Sequence, residues 1–335
     1  MRKMLLAFLL LIGLAAPIGL AGQNPANADR TLVFIPKATN SQFWIAIWEG
    51  TKKAAQELGY KEVGFQGVSS AGDVTGQVNI FNDVATSRPA GILIAVNDAK
   101  ALSAPAERAI EMGVPVVTVN AAVETEKVLA HAATDNYQAA ALGARAFGKL
   151  IGGKGKVIFI GIDASSENGR ARESGFRDAI AKEFPNITIL PTQHSLGDIS
   201  RGMNITNDLL TGNPDVVGIF CAQDNGGTGA AQALRQRGIK DRIKLVSFDA
   251  SPDEFQLFMD GFFDALVVQD PFMQGYMGVY ALDKIINRQP LEKKFFETPV
   301  RIITRDNLSE PDIYDIMARN SATLNIMKAK GIVRK

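Results

Sequence analysis

The chain has 335 residues, 36 basic and 35 acidic side chains and a formal net charge of +1. That balance gives no electrostatic basis for binding nucleic acid or an anionic membrane. Its one cysteine, Cys221, cannot form an internal disulfide, so stability must come from the core. Arg2 and Lys3 precede an apolar run over 4–16, and small residues lead to Ala26-Asn27-Ala28. This is the pattern of a secretory signal peptide over 1–28, with a cut after Ala21 as the alternative. The roughly 305 residues that follow are enough for two domains.

Strand and helix alternate along the rest of the chain. A strand over 31–35 precedes a helix over 44–58, and a strand over 62–65 precedes a helix over 73–86. The run 91–96 is continuously apolar, as in a parallel strand buried on both faces. A helix over 103–112, a strand over 115–119 and a helix over 137–151 follow. The pattern then restarts: strands over 156–162, 187–190, 216–221, 244–248 and 265–268 alternate with helices over 174–183, 200–211, 226–237, 252–259 and 272–287. Regular alternation predicts an α/β protein of two doubly wound parallel-sheet lobes. The spacing assigns 29–134 plus 270–294 to an N-terminal lobe, and 135–269 plus 295–335 to a C-terminal lobe. Crossovers near Asp135, Gln269 and Leu291 would form the hinge. Beyond Glu310 an amphipathic stretch over 313–327 is expected to pack on the second lobe.

Ligands of open α/β sheets bind outside the carboxyl ends of the strands. The polar residues at those ends are Asn40, Asn97, Asn120, Gln223, Asp224, Asp249 and Gln269. A loop after 156–162 adds Asn168, Arg170 and Arg172. Amides, carboxylates and guanidinium groups suit a ligand rich in hydroxyls. Each could equally be a turn or cap residue, but their recurrence in both halves favours a polar pocket. Phe43 and Trp44, adjacent aromatics at the start of the first helix, suit the apolar face of a sugar ring. Packing that helix onto its sheet is the competing explanation. No serine elbow, metal-binding helix or phosphate loop is present, and nothing calls for a metal or cofactor. Asp224 and Asp249 could serve as the opposed carboxylates of a glycosidase, so an exported sugar-acting enzyme is the alternative class.

Short motifs spread over nearly the whole mature chain resemble the periplasmic sugar-binding proteins of ABC importers, of the ribose- and galactose-binding type. They are Asn40-Ser41-Gln42-Phe43-Trp44, Pro115 to Asn120, Ala133-Thr134-Asp135-Asn136, Arg170-Ala171-Arg172-Glu173-Ser174-Gly175-Phe176, Phe248-Asp249-Ala250-Ser251-Pro252 and Gln269-Asp270-Pro271. The resemblance implies a type I periplasmic binding fold, closing on a monosaccharide, polyol or related ligand and delivering it to a membrane permease. It further implies a periplasmic monomer that is not an enzyme, with a chemoreceptor as a second candidate partner. Carried over, Phe43 and Trp44 would stack on the ring. Asn40, Asn120 and Gln269 would bond its hydroxyls, and Arg170, Gln223 and Asp249 would close from the second lobe. Asn97 and Asp224 stand in a second tier. The chain departs from the family at Asn120-Ala121, where an Asp followed by Arg or Ser is usual, and at Leu196-Gly197, where an aromatic is common. Those changes leave the ligand open, with the sugar-like signal autoinducer-2 as the alternative.

Overall fold

The computed structural model describes residues 24–164 and 166–335. The leader read over 1–28 therefore lies outside the described residues except for its last five positions. The first lobe contains β1 (Thr31–Ile35), α1 (Gln42–Leu58), β2 (Glu62–Phe65), α2 (Val74–Thr86), β3 (Gly91–Ile94), α3 (Ser103–Glu111), β4 (Val116–Val119) and β5 (His131–Ala133). The chain then crosses and builds α4 (Asn136–Leu150), β6 (Lys154–Gly161), α5 (Glu167–Glu183), β7 (Asn186–Ile189), β8 (Gln193–His194), α6 (Ile199–Gly212) and β9 (Val216–Cys221). The second lobe continues with α7 (Asp224–Arg237), β10 (Lys244–Phe248), α8 (Pro252–Met259) and β11 (Ala265–Gln269). It crosses back for α9 (Pro271–Ile286) and β12 (Phe295–Glu297), and returns for β13 (Val300–Ile303), α10 (Pro311–Ala318) and α11 (Ser321–Ala329).

The two sheets repeat one winding. Their strand orders are β2-β1-β3-β4-β5-β12 and β7-β6-β9-β10-β11-β13, with β8 beside β6. All pairings are parallel except that of β13, which runs antiparallel to β11 at the edge. The central strands β3 and β4 are buried along their whole length, so both faces must be covered by helices. In the first lobe α1 and α9 pack around Leu32, Phe34 and Leu93, while α2 and α3 pack around Ile35, Ile92 and Phe81. In the second, Phe147, Phe159, Phe176 and Phe220 form an aromatic layer on one face, and Ile219, Phe255, Phe258 and Phe263 fill the other.

Three observations correct the sequence reading. The third crossover lies at Thr298-Pro299, not near Leu291, because β12 pairs with β5 in the first sheet. Charged Glu292, Lys293 and Lys294 mask that three-residue strand in the sequence. Next, α5 starts at Glu167, seven residues before the expected position, with Ser166 accepting from the Gly169 N–H as its cap. Finally, Asn27 is fully buried. Its amide donates to the Leu58 carbonyl (2.9 Å) and to Asp283 Oδ1 (3.2 Å), so residues read as leader are part of the first lobe. The tail folds back as expected: Ile313, Met317 and Met327 enter the second-lobe core.

Candidate functional site

The carboxyl ends of both sheets face a cleft of about 750 Å³. On the first lobe, Ser41 Oγ accepts from the Phe43 N–H (3.3 Å) and starts α1 there. That cap places Phe43 and Trp44 at the cleft wall. Their rings meet edge to face, 5.0 Å apart at 82°. Both also touch the first-lobe core and are half-buried. Trp48, one turn on, takes the packing role: it stacks on Phe65 at 5.0 Å and donates to the Val63 carbonyl.

Asn40 and Lys37 line the cleft beside the aromatic pair. Burial lowers the Lys37 pKa against the opposing pull of Glu167 across the cleft. Asn97 does not line the cleft. It stands behind the turn, donating to the Lys37 carbonyl (3.2 Å), while fully buried Gln77 holds the Pro36 carbonyl (3.0 Å). Asn120 ends β4 in the left-handed region at φ 63°. Its amide donates to Gln274, which donates to Thr134, whose hydroxyl meets that of Thr298. This chain of polar groups connects the cleft wall to two of the three crossovers.

On the second lobe the structure separates Arg170 from Arg172. A helix turns about 100° per residue, so positions two apart point to nearly opposite sides. Arg170 is exposed, its guanidinium donates to the Ala164 carbonyl (3.1 Å), and it does not line the cleft. Arg172 does line it. It is 4 % exposed, donating through Nε to Asn136 Oδ1 (2.8 Å) and through a terminal nitrogen to the Ala222 carbonyl (2.6 Å). Its guanidinium lies 4.1 Å from the centre of the Phe248 ring and 3.7 Å from Asp249 Oδ2. The sequence motif contains both arginines, and only the early start of α5 decides between them.

Asp249 ends β10 at φ 73° and accepts from Gln269 Nε2 at 2.6 Å. The Gln269 carbonyl oxygen is buried with no partner among the described residues. Gln223 is held by Ser195 Oγ (3.1 Å). Asp224 opens α7 beside it and faces the same cleft. Burial, reinforced by the neighbouring Asp249 carboxylate, pushes its pKa up to about 6. Leu196 and Gly197, at φ 53° and 74°, form the wall near Gln223. The cleft therefore joins Asn40, Phe43, Trp44, Asn120, Gln223, Asp224, Asp249 and Gln269. It excludes Arg170 and Asn97, and it adds Lys37, Arg172, Phe272, Arg319 and Asn320. Lys37 follows a strand end as the others do. Arg319 and Asn320 lie too far along the chain for that rule to find them.

Two aromatic faces, ringed by amides, carboxylates and guanidinium groups from both lobes, suit a polyhydroxylated ligand. The chain is similar to known proteins in sequence and in fold. Residues 32–290 match the family model described as a periplasmic binding protein domain. The ribose import binding protein of Escherichia coli is 28% identical over 284 residues, covering 84% of this chain and 94% of that protein. The D-apiose import binding protein of Actinobacillus succinogenes is 28% identical, covering 80% and 86% of the two chains. A carbohydrate transporter solute-binding protein from Agrobacterium radiobacter, solved with D-arabinose, superposes with a TM-score of 0.79 at 28% identity, covering 86% and 99%. One from Agrobacterium vitis, solved with α-D-tagatopyranose, gives the same TM-score and identity. The chain belongs to the periplasmic binding protein family, among the sugar-binding, non-enzymatic proteins of ABC importers.

Proposed function

We propose that the cleft captures a single neutral monosaccharide and that the lobes close over it before a membrane permease receives it. The ring lies against Phe43 and Trp44. Asn40, Asn120, Gln223, Asp224, Asp249, Gln269 and Arg172 bond its hydroxyls, and Arg170 has no part in the site. The observation that carries this reading is the convergence of that aromatic pair and those polar groups, from both lobes, on one cleft. The unpartnered Gln269 carbonyl supports it, since a buried acceptor without a donor favours a ligand hydroxyl. Relatives named for ribose, apiose, arabinose and tagatose point to aldoses and ketoses of five or six carbons. Closure follows from ligand contacts to both lobes, which favour the closed population.

The protein acts as a periplasmic monomer, exported by a cleaved leader. Asn27 is buried and bonded to Leu58 and Asp283, so a cut after Ala21 keeps the first lobe intact and a cut after Ala28 does not. A thermal-shift screen of D-ribose, D-arabinose, D-apiose, D-allose and D-tagatose tests the ligand. A sugar at about 100 times its dissociation constant stabilises by roughly 2.7 kcal/mol. No shift with any of these sugars would overturn the reading.

A further inference from the structure

The C-terminal tail lies beyond residues 32–290, the span that the family model matches. Its two helices, α10 and α11, are anchored in the second lobe through Ile313, Met317 and Met327. The corner between them is not anchored there alone. Arg319, at the end of α10, forms an ion pair and hydrogen bond with Asp270. Its guanidinium also lies over the Phe272 ring, 4.9 Å from the centroid. Asp270 is only 2 % exposed, and its other carboxylate oxygen accepts from the Met273 N–H (3.1 Å), capping α9.

Helix α9 belongs to the first lobe. Its start is seated directly on α1: a Cβ at Gly50 would stand 1.9 Å from the Phe272 carbonyl oxygen, and one at Gly275 would stand 2.0 Å from the Ile47 carbonyl oxygen. The α1–α9 pair is packed backbone against backbone, and α1 carries Phe43 and Trp44. Arg319 therefore connects a tail fixed in the second lobe to the first-lobe unit that presents the aromatic pair. It does so at the crossover between Gln269 and Pro271, one residue from the amide that donates to Asp249. Arg319 and Asn320 line the same cleft as these groups.

We infer that Arg319 is a positioning residue for closure: the tail pins the second crossover and sets the balance between open and closed lobes, and so the affinity for sugar. The inference takes the sugar-binding reading as given for its affinity arm, and its conformational arm stands without it. A planar guanidinium can pair with Asp270 and stack on Phe272 together, whereas an ammonium can only pair. Arg319→Lys should therefore restore part of what Arg319→Ala loses.

The test compares wild type, Arg319→Ala and Arg319→Lys in the full mature chain. Small-angle X-ray scattering without sugar reads the lobe distribution. Calorimetry with whichever of D-ribose, D-arabinose or D-tagatose binds wild type reads affinity. Arg319→Ala should broaden and enlarge the ligand-free envelope and weaken binding by about two- to thirty-fold, with Arg319→Lys in between. An unchanged envelope in Arg319→Ala overturns the proposal, even where its melting temperature falls, because that describes a merely structural contact. A changed envelope with unchanged affinity also overturns it. If no sugar binds wild type, a changed envelope still upholds the latch and only the ligand reading fails.

Discussion

Replacing Arg172 with alanine should cost both stability and binding, whereas the same change at Arg170 should cost little binding. Arg172 is almost fully buried, and its loss strands the Asn136 and Ala222 oxygens and leaves Asp249 without its counter-charge. Removing one member of a buried charged pair costs about 3–5 kcal/mol. At about 2–4 °C per kcal/mol for a domain of this size, the second lobe should melt on the order of 10 °C lower. A charged hydrogen bond lost to the ligand adds about 1.5–3 kcal/mol, which is roughly ten- to a hundred-fold in affinity. Arg170 is exposed and does not line the cleft, so its loss should leave the affinity for sugar nearly unchanged. Calorimetric melting and sugar titration well below the midpoint, with circular dichroism to confirm folded protein, separate the two effects. Retained binding in Arg172→Ala together with lost binding in Arg170→Ala would refute the assignment.

Trp44→Ala should abolish sugar binding while lowering the melting temperature far less than Trp48→Ala, since Trp48 stacks on Phe65 and Trp44 faces the cleft. A large stability loss with binding retained would return Trp44 to the core. With its pKa pushed up to about 6, Asp224 should make affinity depend on pH. Its ionised form accepts ligand hydroxyls best, so binding should weaken as pH falls through 6, and Asp224→Asn should flatten that profile at lower affinity. Glu254 is fully buried, and desolvation, with Asp224 nearby, raises its pKa well above the ordinary carboxylate value. A raised folded pKa means stability is present at low pH and lost as pH rises. Glu254→Gln should remove that loss, so chemical denaturation at pH 5 and pH 8 should differ less than in wild type.

Periodicity in the sequence is enough to reveal the two-lobed fold, because strands such as 91–94 and 216–221 are apolar along nearly their whole length and the helices between them carry caps and one-sided apolar patterns. Short pieces escape it. β5, β12 and β13 have three or four residues each, too few to show a period, and two of them fix where the chain crosses. The strand-end rule finds most of the cleft because it follows from topology. It reaches Asn97 only as a second-tier residue, whose amide supports the Lys37 turn, since position after a strand does not set side-chain direction. It cannot choose between Arg170 and Arg172 without knowing that Ser166 starts the helix. The contribution of Arg319 depends on a tertiary contact across 49 residues of chain, which no local pattern contains.

Asn120 and Asp249 end β4 and β10, the same position in the winding of each sheet, and both adopt left-handed backbone conformations. That geometry disfavours most side chains by about 1–2 kcal/mol and admits chiefly glycine, asparagine and aspartate. Of these, only asparagine and aspartate bring a side chain to the cleft. Divergence at this pair can therefore exchange an amide for a carboxylate but has little freedom to change reach. In this chain, ligand choice at these two points should behave as a pair of two-way charge settings, with size discrimination left to neighbours such as Leu196 and Lys37.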